Sequence, residues 1–144
     1  LGALDVAPNG SRTITITGSG PGSTIISQTI ATQRVMAIDY NLVGNTNVTI
    51  SGVTLSGGGN ASDNYGGAGI LAGSLNAPAD SLTLDNCSIE NNRISTAATD
   101  SYGGGVRMDG GILTVSNCSF INNSAGTAPG GSGEHPWLGL DRSD

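Results

Sequence analysis

The sequence contains no lysine, and its basic side chains are five arginines set against 11 acidic residues. The formal net charge is -6 and the pI is about 4.3, so the chain has no basic patch that could neutralise phosphates. Nucleic acid is therefore excluded as an expected partner. Charged residues are only 11% of the chain, which excludes an open, charge-rich disordered segment. Aromatic residues are 3%, which disfavours a conventional core of helices and aromatic layers.

Long hydrophobic runs are also missing, since no stretch of about 18 apolar residues occurs and none is predicted to span a membrane as a helix. The 144 residues correspond to one domain. The chain begins at Leu1 inside a pattern already under way, so we expect a fragment of a longer parent chain. The two cysteines do not decide between a reducing and an oxidising compartment.

The sequence does contain 24 glycines and an internal repeat. Similar segments span residues 47–55, 81–89 and 112–120, and a fainter copy lies at 13–18. A second, glycine-led segment alternates with the first, at 65–71 and 102–108, with an earlier counterpart at 34–39. Each copy alternates apolar and polar residues with a period of two, which indicates half-buried strands rather than helix.

Strands this short bury a core only when they stack, so the repeat predicts an all-β solenoid of about three to four coils. Equivalent apolar positions then form inward columns. The predicted columns are Val48, Leu82 and Leu113; Ile50, Leu84 and Val115; Val53, Cys87 and Cys118; Leu55, Ile89 and Phe120; and Met36, Ile70 and Val106.

The stretch 82–92, Leu-Thr-Leu-Asp-Asn-Cys-Ser-Ile-Glu-Asn-Asn, is followed by Tyr-Gly-Gly-Gly-Val at 102–106. Together they resemble the right-handed parallel β-helix repeats of polymorphic outer membrane proteins and related bacterial adhesins. Residues 16–26 are similar to the first coils of pectin-lyase-like helices. The resemblance covers about 12–126 and implies a right-handed parallel β-helix with a pectin-lyase-like fold.

The same resemblance implies an exported bacterial protein at the cell surface or outside the cell, associated with the outer membrane. It implies a non-enzymatic repeat segment that presents loops, with a polysaccharide or a host or cell-surface glycan as partner. The alternative is a polysaccharide lyase or glycoside hydrolase with a groove on the glycine-led sheet. The fold by itself does not decide between them, because it hosts both classes.

Catalytic candidates on the glycine-led strand are few. Its outward positions should be Ala37, Leu71 and Arg107, and none of these is an acid. Asp39 and Asp109 should share a column at the strand end, about 9.6 Å apart at two strand spacings. An inverting glycosidase separates its acids by about 6.5–9.5 Å, so Asp39, Asp109 and Arg107 are weak candidates. The favoured alternative is that both acids are turn residues.

No cofactor or metal is predicted, because the acidic residues are scattered singly and calcium needs six to eight converging oxygens. Asparagines recur at two corners of the repeat, where they can form hydrogen-bonded ladders. The alternative is N-glycosylation at Asn86 and Asn117, which fit the acceptor pattern. Cys87 and Cys118 fall in neighbouring coils, and stacked thiols are favoured over a disulfide because in-register side chains point in parallel.

The repeat segment is expected to span 1–126. Residues 127–144 diverge from it and hold the single Trp and His. This tail is expected to be either a cap over the open strand edge or a disordered, truncated end, with truncation favoured because the next glycine-led strand begins at 130–131 and is then lost.

Overall fold

The structure is a computed structural model that describes residues 2–6, 11–38, 45–59, 66–73, 80–94, 103–125 and the backbone of 140–142. Within these residues all regular structure is β-strand. The strands are β1 (Leu4–Val6), β2 (Arg12–Thr17), β3 (Ile25–Ser27), β4 (Met36–Ile38), β5 (Thr46–Ser51), β6 (Thr54–Ser56), β7 (Ile70–Ala72), β8 (Ser81–Asp85), β9 (Ser88–Glu90), β10 (Val106–Met108), β11 (Ile112–Ser116), β12 (Ser119–Ile121) and β13 (Leu140–Arg142).

The strands form three parallel sheets that each take one strand from every coil. Sheet A has the order β1-β4-β7-β10-β13, sheet B the order β11-β8-β5-β2, and sheet C the order β12-β9-β6-β3. The chain thus passes repeatedly from sheet B to sheet C to sheet A. We number the coils 1 (β2, β3, β4), 2 (β5, β6, β7), 3 (β8, β9, β10) and 4 (β11, β12, β13). This arrangement confirms the predicted all-β parallel β-helix of a few coils.

Strand register matches the predicted alignment of the repeats. Val48 pairs with Leu82 and Leu82 with Leu113, and Leu55 pairs with Ile89 and Ile89 with Phe120. The faint copy at 13–18 is a true repeat, because β2 pairs with β5 along its whole length. The side chains of the inward columns form one apolar core between the three sheets.

The corners of the helix have a backbone conformation that asparagine and glycine tolerate. Asn86 and Asn117, at the corner between sheets B and C, have φ of 51° and 54°. In coil 2 the same corner is Gly52, with φ of 64°. Left-handed backbone costs other L-residues about 1–2 kcal/mol, which explains the restriction to these two residue types.

The second corner contains a buried asparagine ladder. Asn92 Oδ1 accepts a hydrogen bond from Gly58 N–H at 2.9 Å, and Asn92 Nδ2 donates to Leu55 O at 3.1 Å. One coil later, Asn123 Oδ1 accepts from the backbone N–H of Asn92 at 3.1 Å and from its Nδ2 at 3.0 Å. Each amide thus satisfies polar groups of the preceding coil that water cannot reach.

The asparagine ladder explains why the strands of sheet A are preceded by glycine. A Cβ at Gly69 would lie 3.0 Å from Asn92 Nδ2, and a Cβ at Gly105 would lie 3.2 Å from Asn123 Nδ2. The added Cβ at Gly69 would also collide with the backbone carbonyl oxygen of Gly105. A side chain is therefore excluded where sheet A begins beside each buried amide, and the Asn-Asn and Gly-Gly segments of the repeat are two halves of one packing arrangement.

Both cysteines are free, as the prediction of stacked thiols requires. The backbone N–H of Cys87 donates to Cys118 Sγ at 3.3 Å. Each thiol donates to a carbonyl two residues earlier, on Asp85 and Ser116 respectively, so the two side chains point in parallel. Burial raises the pKa of Cys118 above the ordinary value of a thiol.

The divergent tail contributes one strand to the fold. β13 pairs in parallel with β10, so that Val106 is in register with Leu140. The other residues of the tail, 127–139 and 143–144, lie outside the described residues, and the expectation of a cap or a truncated end stays a prediction. In the described part of the chain no helix is long and apolar enough to cross a membrane.

Candidate functional site

The outer face of sheet A is the surface where an enzyme of this fold would need its reactive groups. Pairing aligns Asp5 with Ala37, Ala37 with Leu71 and Leu71 with Arg107 across β1, β4, β7 and β10. The predicted outward column of Ala37, Leu71 and Arg107 is therefore correct in register, and it begins one strand earlier, at Asp5.

Arg107 and Asp109 form an ion pair at the end of β10. Arg107 Nε donates to Asp109 Oδ1 at 2.6 Å, and the side chains are 13% and 10% exposed. A charge-assisted hydrogen bond in such a partly buried place holds both side chains in one orientation. Two of the three weak catalytic candidates are thus brought together, as partners of each other.

The predicted pairing of Asp39 with Asp109 stays a prediction, because Asp39 lies outside the described residues. Asp109 follows Met108, which is in register with Ala72, and the backbone N–H of Asp109 donates to Ala72 O at 2.8 Å. Asp109 therefore stands beside Gly73, as predicted. Gly73 has a φ of 78°, which marks this strand end as a turn.

Leu71 has a position that the sequence did not anticipate. It lies in the outward column of sheet A and yet is 0% exposed, and it stands apart from the apolar core inside the helix. The outer face of sheet A is consequently covered at coil 2. A polysaccharide chain lying along this column would meet protein between Ala37 and Arg107, so the column is not an open groove.

Two buried charged residues were not singled out from the sequence. Arg34 is 5% exposed and its Nη2 donates to Gly66 O at 3.5 Å, and Asp80 is 2% exposed and its Oδ1 accepts from the Thr46 N–H at 2.8 Å. Both lie just before a strand and contact the neighbouring coil. Their signal in the sequence is their position at the start of a repeat, where a side chain can satisfy backbone groups of an adjacent coil.

An aspartate whose pKa is shifted, Asp85, lies away from this site, at the exposed corner between sheets B and C. Ser116 Oγ donates to Asp85 Oδ1 at 2.7 Å, and Asn117 Nδ2 donates to the same oxygen at 3.0 Å. These bonds, that from Ser116 first, hold the pKa of Asp85 below the ordinary value of an aspartate. Asp85 thus links coil 3 to coil 4.

No group of three or more histidine, cysteine or acidic side chains in the described ranges could hold a metal ion. Asn86 and Asn117, the two corner asparagines considered as glycosylation sites, are both exposed, and Asn117 donates its amide to Asp85. The arrangement as a whole is one of side chains that bond to the next coil. These hydrogen bonds and ion pairs can hold neighbouring coils together. Among the described residues they do not place two acidic side chains opposite each other, as a glycosidase would need.

These features define the class of protein: an all-β solenoid with three parallel sheets, held by apolar columns inside and by polar ladders at its corners. Comparisons with protein-family models, with curated proteins and with solved structures each gave no match. The class is therefore established by the repeat and by the strand register.

Proposed function

We propose that this chain is a non-enzymatic repeat segment of an exported bacterial surface protein, adhesin-like, that presents loops on a β-helical scaffold. The observation that carries the proposal is the Arg107–Asp109 ion pair. The acid best placed for catalysis on sheet A accepts a 2.6 Å hydrogen bond from a guanidinium, so its carboxylate is held by Arg107 and is not directed at a substrate.

A second acid at a suitable distance is also lacking among the side chains that the structure describes on this face. Asp5 is exposed and lies on β1, three strand spacings or about 14 Å from β10, the strand that Asp109 follows. Acids that flank a glycosidic bond are separated by about 5–5.5 Å or about 6.5–9.5 Å. This spacing is too large for either mechanism, and the buried Leu71 stands in the column between them.

The lengths of the connections between strands support a role in presenting loops. The step from sheet B to sheet C is seven positions in coils 3 and 4, from Leu82 to Ile89 and from Leu113 to Phe120. In coil 1 the same step, from Ile14 to Ile26, is 12 positions. The step from sheet C to sheet A varies, with 15 positions from Leu55 to Ile70 and 17 from Ile89 to Val106. Variation in connection length between the strands of a rigid scaffold is typical of segments that contact partners.

The proposed partner is an uncharged or weakly charged glycan of a cell surface or a polysaccharide. The composition supports this choice, because serine, threonine and asparagine dominate the exposed positions, whereas a net charge of -6 disfavours nucleic acid and strongly acidic polymers. Export to the bacterial surface and association with the outer membrane are part of the proposal and rest on the resemblance of the repeat to adhesin coils.

The test measures binding and turnover together on a panel of polysaccharides that includes pectins. We expect binding to some glycans and no release of shortened products. Asp109→Asn is the diagnostic variant, and Asp85→Asn is the matched control because Asp85 lies on another corner. Product release by the wild-type chain that Asp109→Asn abolishes and Asp85→Asn retains would show a lyase or hydrolase. Circular dichroism of both variants verifies the fold.

A further inference from the structure

The outer face of sheet B carries one threonine from each of its four strands, in a column that runs along the solenoid. We call these residues the threonine column: Thr15, Thr49, Thr83 and Thr114. Thr15 and Thr114 are exposed, and Thr49 and Thr83 are partly exposed. Because Thr49 and Thr83 lie on the interior strands β5 and β8, their exposure does not depend on what precedes or follows the described coils.

The hydroxyls of the threonine column are free for an outside partner. None of the four has a hydrogen-bond partner among the residues that the structure describes. The outward serines of sheet C differ, because the Oγ atoms of Ser27 and Ser56 are hydrogen-bonded at 2.9 Å and Ser119 Oγ donates to Ser88 Oγ at 3.1 Å. Threonine is β-branched and has few rotamers, so the column presents its hydroxyl and methyl groups in a nearly fixed order.

The spacing of this face matches that of ordered water. In ice each molecule is hydrogen-bonded tetrahedrally at about 2.7–2.8 Å, which places second neighbours about 4.5 Å apart and repeats along the hexagonal axis every ~7.3 Å. Neighbours in the threonine column are one strand spacing apart, about 4.8 Å, and outward positions two residues along a strand, such as Thr15 and Thr17, are about 6.6 Å apart. Both spacings agree with the ice repeats to within about a tenth.

The chemistry of the face fits an uncharged lattice. Although the chain carries a net charge of -6, neither the threonine column nor the column before it contains an ionisable side chain. That preceding column is Thr13, Asn47, Ser81 and Ile112. In the column on the other side, the carboxylate of Asp85 accepts hydrogen bonds from Ser116 and Asn117. A charge pressed against ice would lose hydration without gaining a partner, whereas a hydroxyl can replace a water molecule and a methyl group is covered.

We propose that the outer face of sheet B binds the surface of ice through the hydroxyl and methyl groups of the threonine column. This inference is independent of the proposed function, since it concerns another face and another ligand. Sites for sugars and other small ligands are concave and rich in aromatic side chains, and the threonine column and its preceding column contain none. A single threonine binds water weakly, but aligned contacts act together because strand register has already ordered them.

Partition into slowly growing ice and inhibition of ice recrystallisation test the proposal. The wild-type chain should enter the ice more than a reference protein of similar size and charge. Thr49→Lys and Thr83→Lys each place a charge in the middle of the column, and each should raise the concentration needed to inhibit recrystallisation about tenfold or more. Ser56→Lys is the matched control, because Ser56 is also partly exposed on an interior strand, β6 of sheet C, and this variant should behave like the wild type.

Circular dichroism of the three variants verifies that each is folded. A wild-type chain that ice excludes as it excludes the reference protein would overturn the proposal. So would folded column variants that act like the wild type, or a loss in Ser56→Lys as large as that in Thr49→Lys. The same variants on the polysaccharide panel separate the two ligands. Glycan binding that Thr49→Lys abolishes, in a wild-type chain that ice excludes, would assign this face to the glycan instead.

Discussion

The two central coils and the two terminal coils of this solenoid contain the same kinds of residue and differ in what covers them. In coils 2 and 3 each inward side chain lies between two neighbours of the same column and is excluded from water. In coils 1 and 4 the equivalent side chains of sheets B and C, such as Ile16 and Leu113, have a neighbour on one side only and are partly exposed. Burial in this molecule therefore depends on position along the axis more than on residue type.

The comparison also separates two kinds of stabilising interaction. Apolar columns gain from each added coil, because each new strand covers the previous one. Polar ladders are directional: the side chains of Asn92 and Asn123 satisfy groups of the coil before them. A terminal coil consequently loses hydrophobic burial but retains the hydrogen bonds that its own asparagine makes.

The largest effect should come from a matched pair in one column. Leu82→Ala removes a side chain that is fully buried in coil 3, and should lower the free energy of unfolding by about 3–4 kcal/mol. Leu113→Ala makes the same change one coil later, at a partly exposed position, and should cost about 1 kcal/mol. Denaturant unfolding monitored by circular dichroism measures both. Equal losses would contradict the distinction between central and terminal coils.

The buried ladder should be nearly as sensitive. Asn92→Ala leaves Gly58 N–H and Leu55 O without their partner and removes a donor to Asn123 Oδ1. Unsatisfied buried groups cost about 1–3 kcal/mol each, so we expect a loss of about 3 kcal/mol. Asn47→Ala is the control, because the hydrogen bond between Ser81 and Asn47 is exposed and its loss should cost less than about 0.5 kcal/mol. Thermal and denaturant unfolding of both variants measure the difference.

A smaller effect is expected at the exposed corner beside the ladder. Asn91 has a φ of 56°, and Asn91→Ala should cost about 1 kcal/mol because alanine is strained in left-handed backbone. Asn91→Gly should be close to neutral, as Gly57 fills the same corner in coil 2 with a φ of 76°. If both variants lose the same stability, the side-chain amide rather than the backbone conformation matters at this position.

The smallest effect should be the pH dependence of the link between coils 3 and 4. Because hydrogen bonds from Ser116 and Asn117 lower the folded-state pKa of Asp85, its contribution to stability is present above the pKa of an unfolded aspartate. It is lost as the pH falls below about 4 and through the folded-state pKa. Melting temperatures measured from pH 6 to pH 2 should decline less for Asp85→Asn than for the wild type. Identical profiles would contradict this assignment.

Much of the fold could be predicted from the sequence because the repeat aligns residues that later become neighbours. Columns such as Val48, Leu82 and Leu113 follow from spacing alone, since stacked parallel strands place equivalent positions together. The positive φ of Asn86 and Asn117 followed from residue type at a corner. The candidate site was harder to predict from the sequence. Register correctly placed Arg107 in the outward column, but the ion pair with Asp109 depends on side-chain direction at a strand end.

The sequence by itself determined the architecture, because a period-two pattern repeated every 31 or 34 positions has only one way to bury its apolar residues: stacking into coils. Only the tertiary structure decided which of these residues are buried. It buried Leu71 on an outward face, joined Arg107 to Asp109, recruited Leu140–Arg142 as a strand of sheet A and left Val115 half-exposed. The physical reason is that periodicity specifies neighbours along the axis, whereas coverage depends on loops and chain ends that do not repeat.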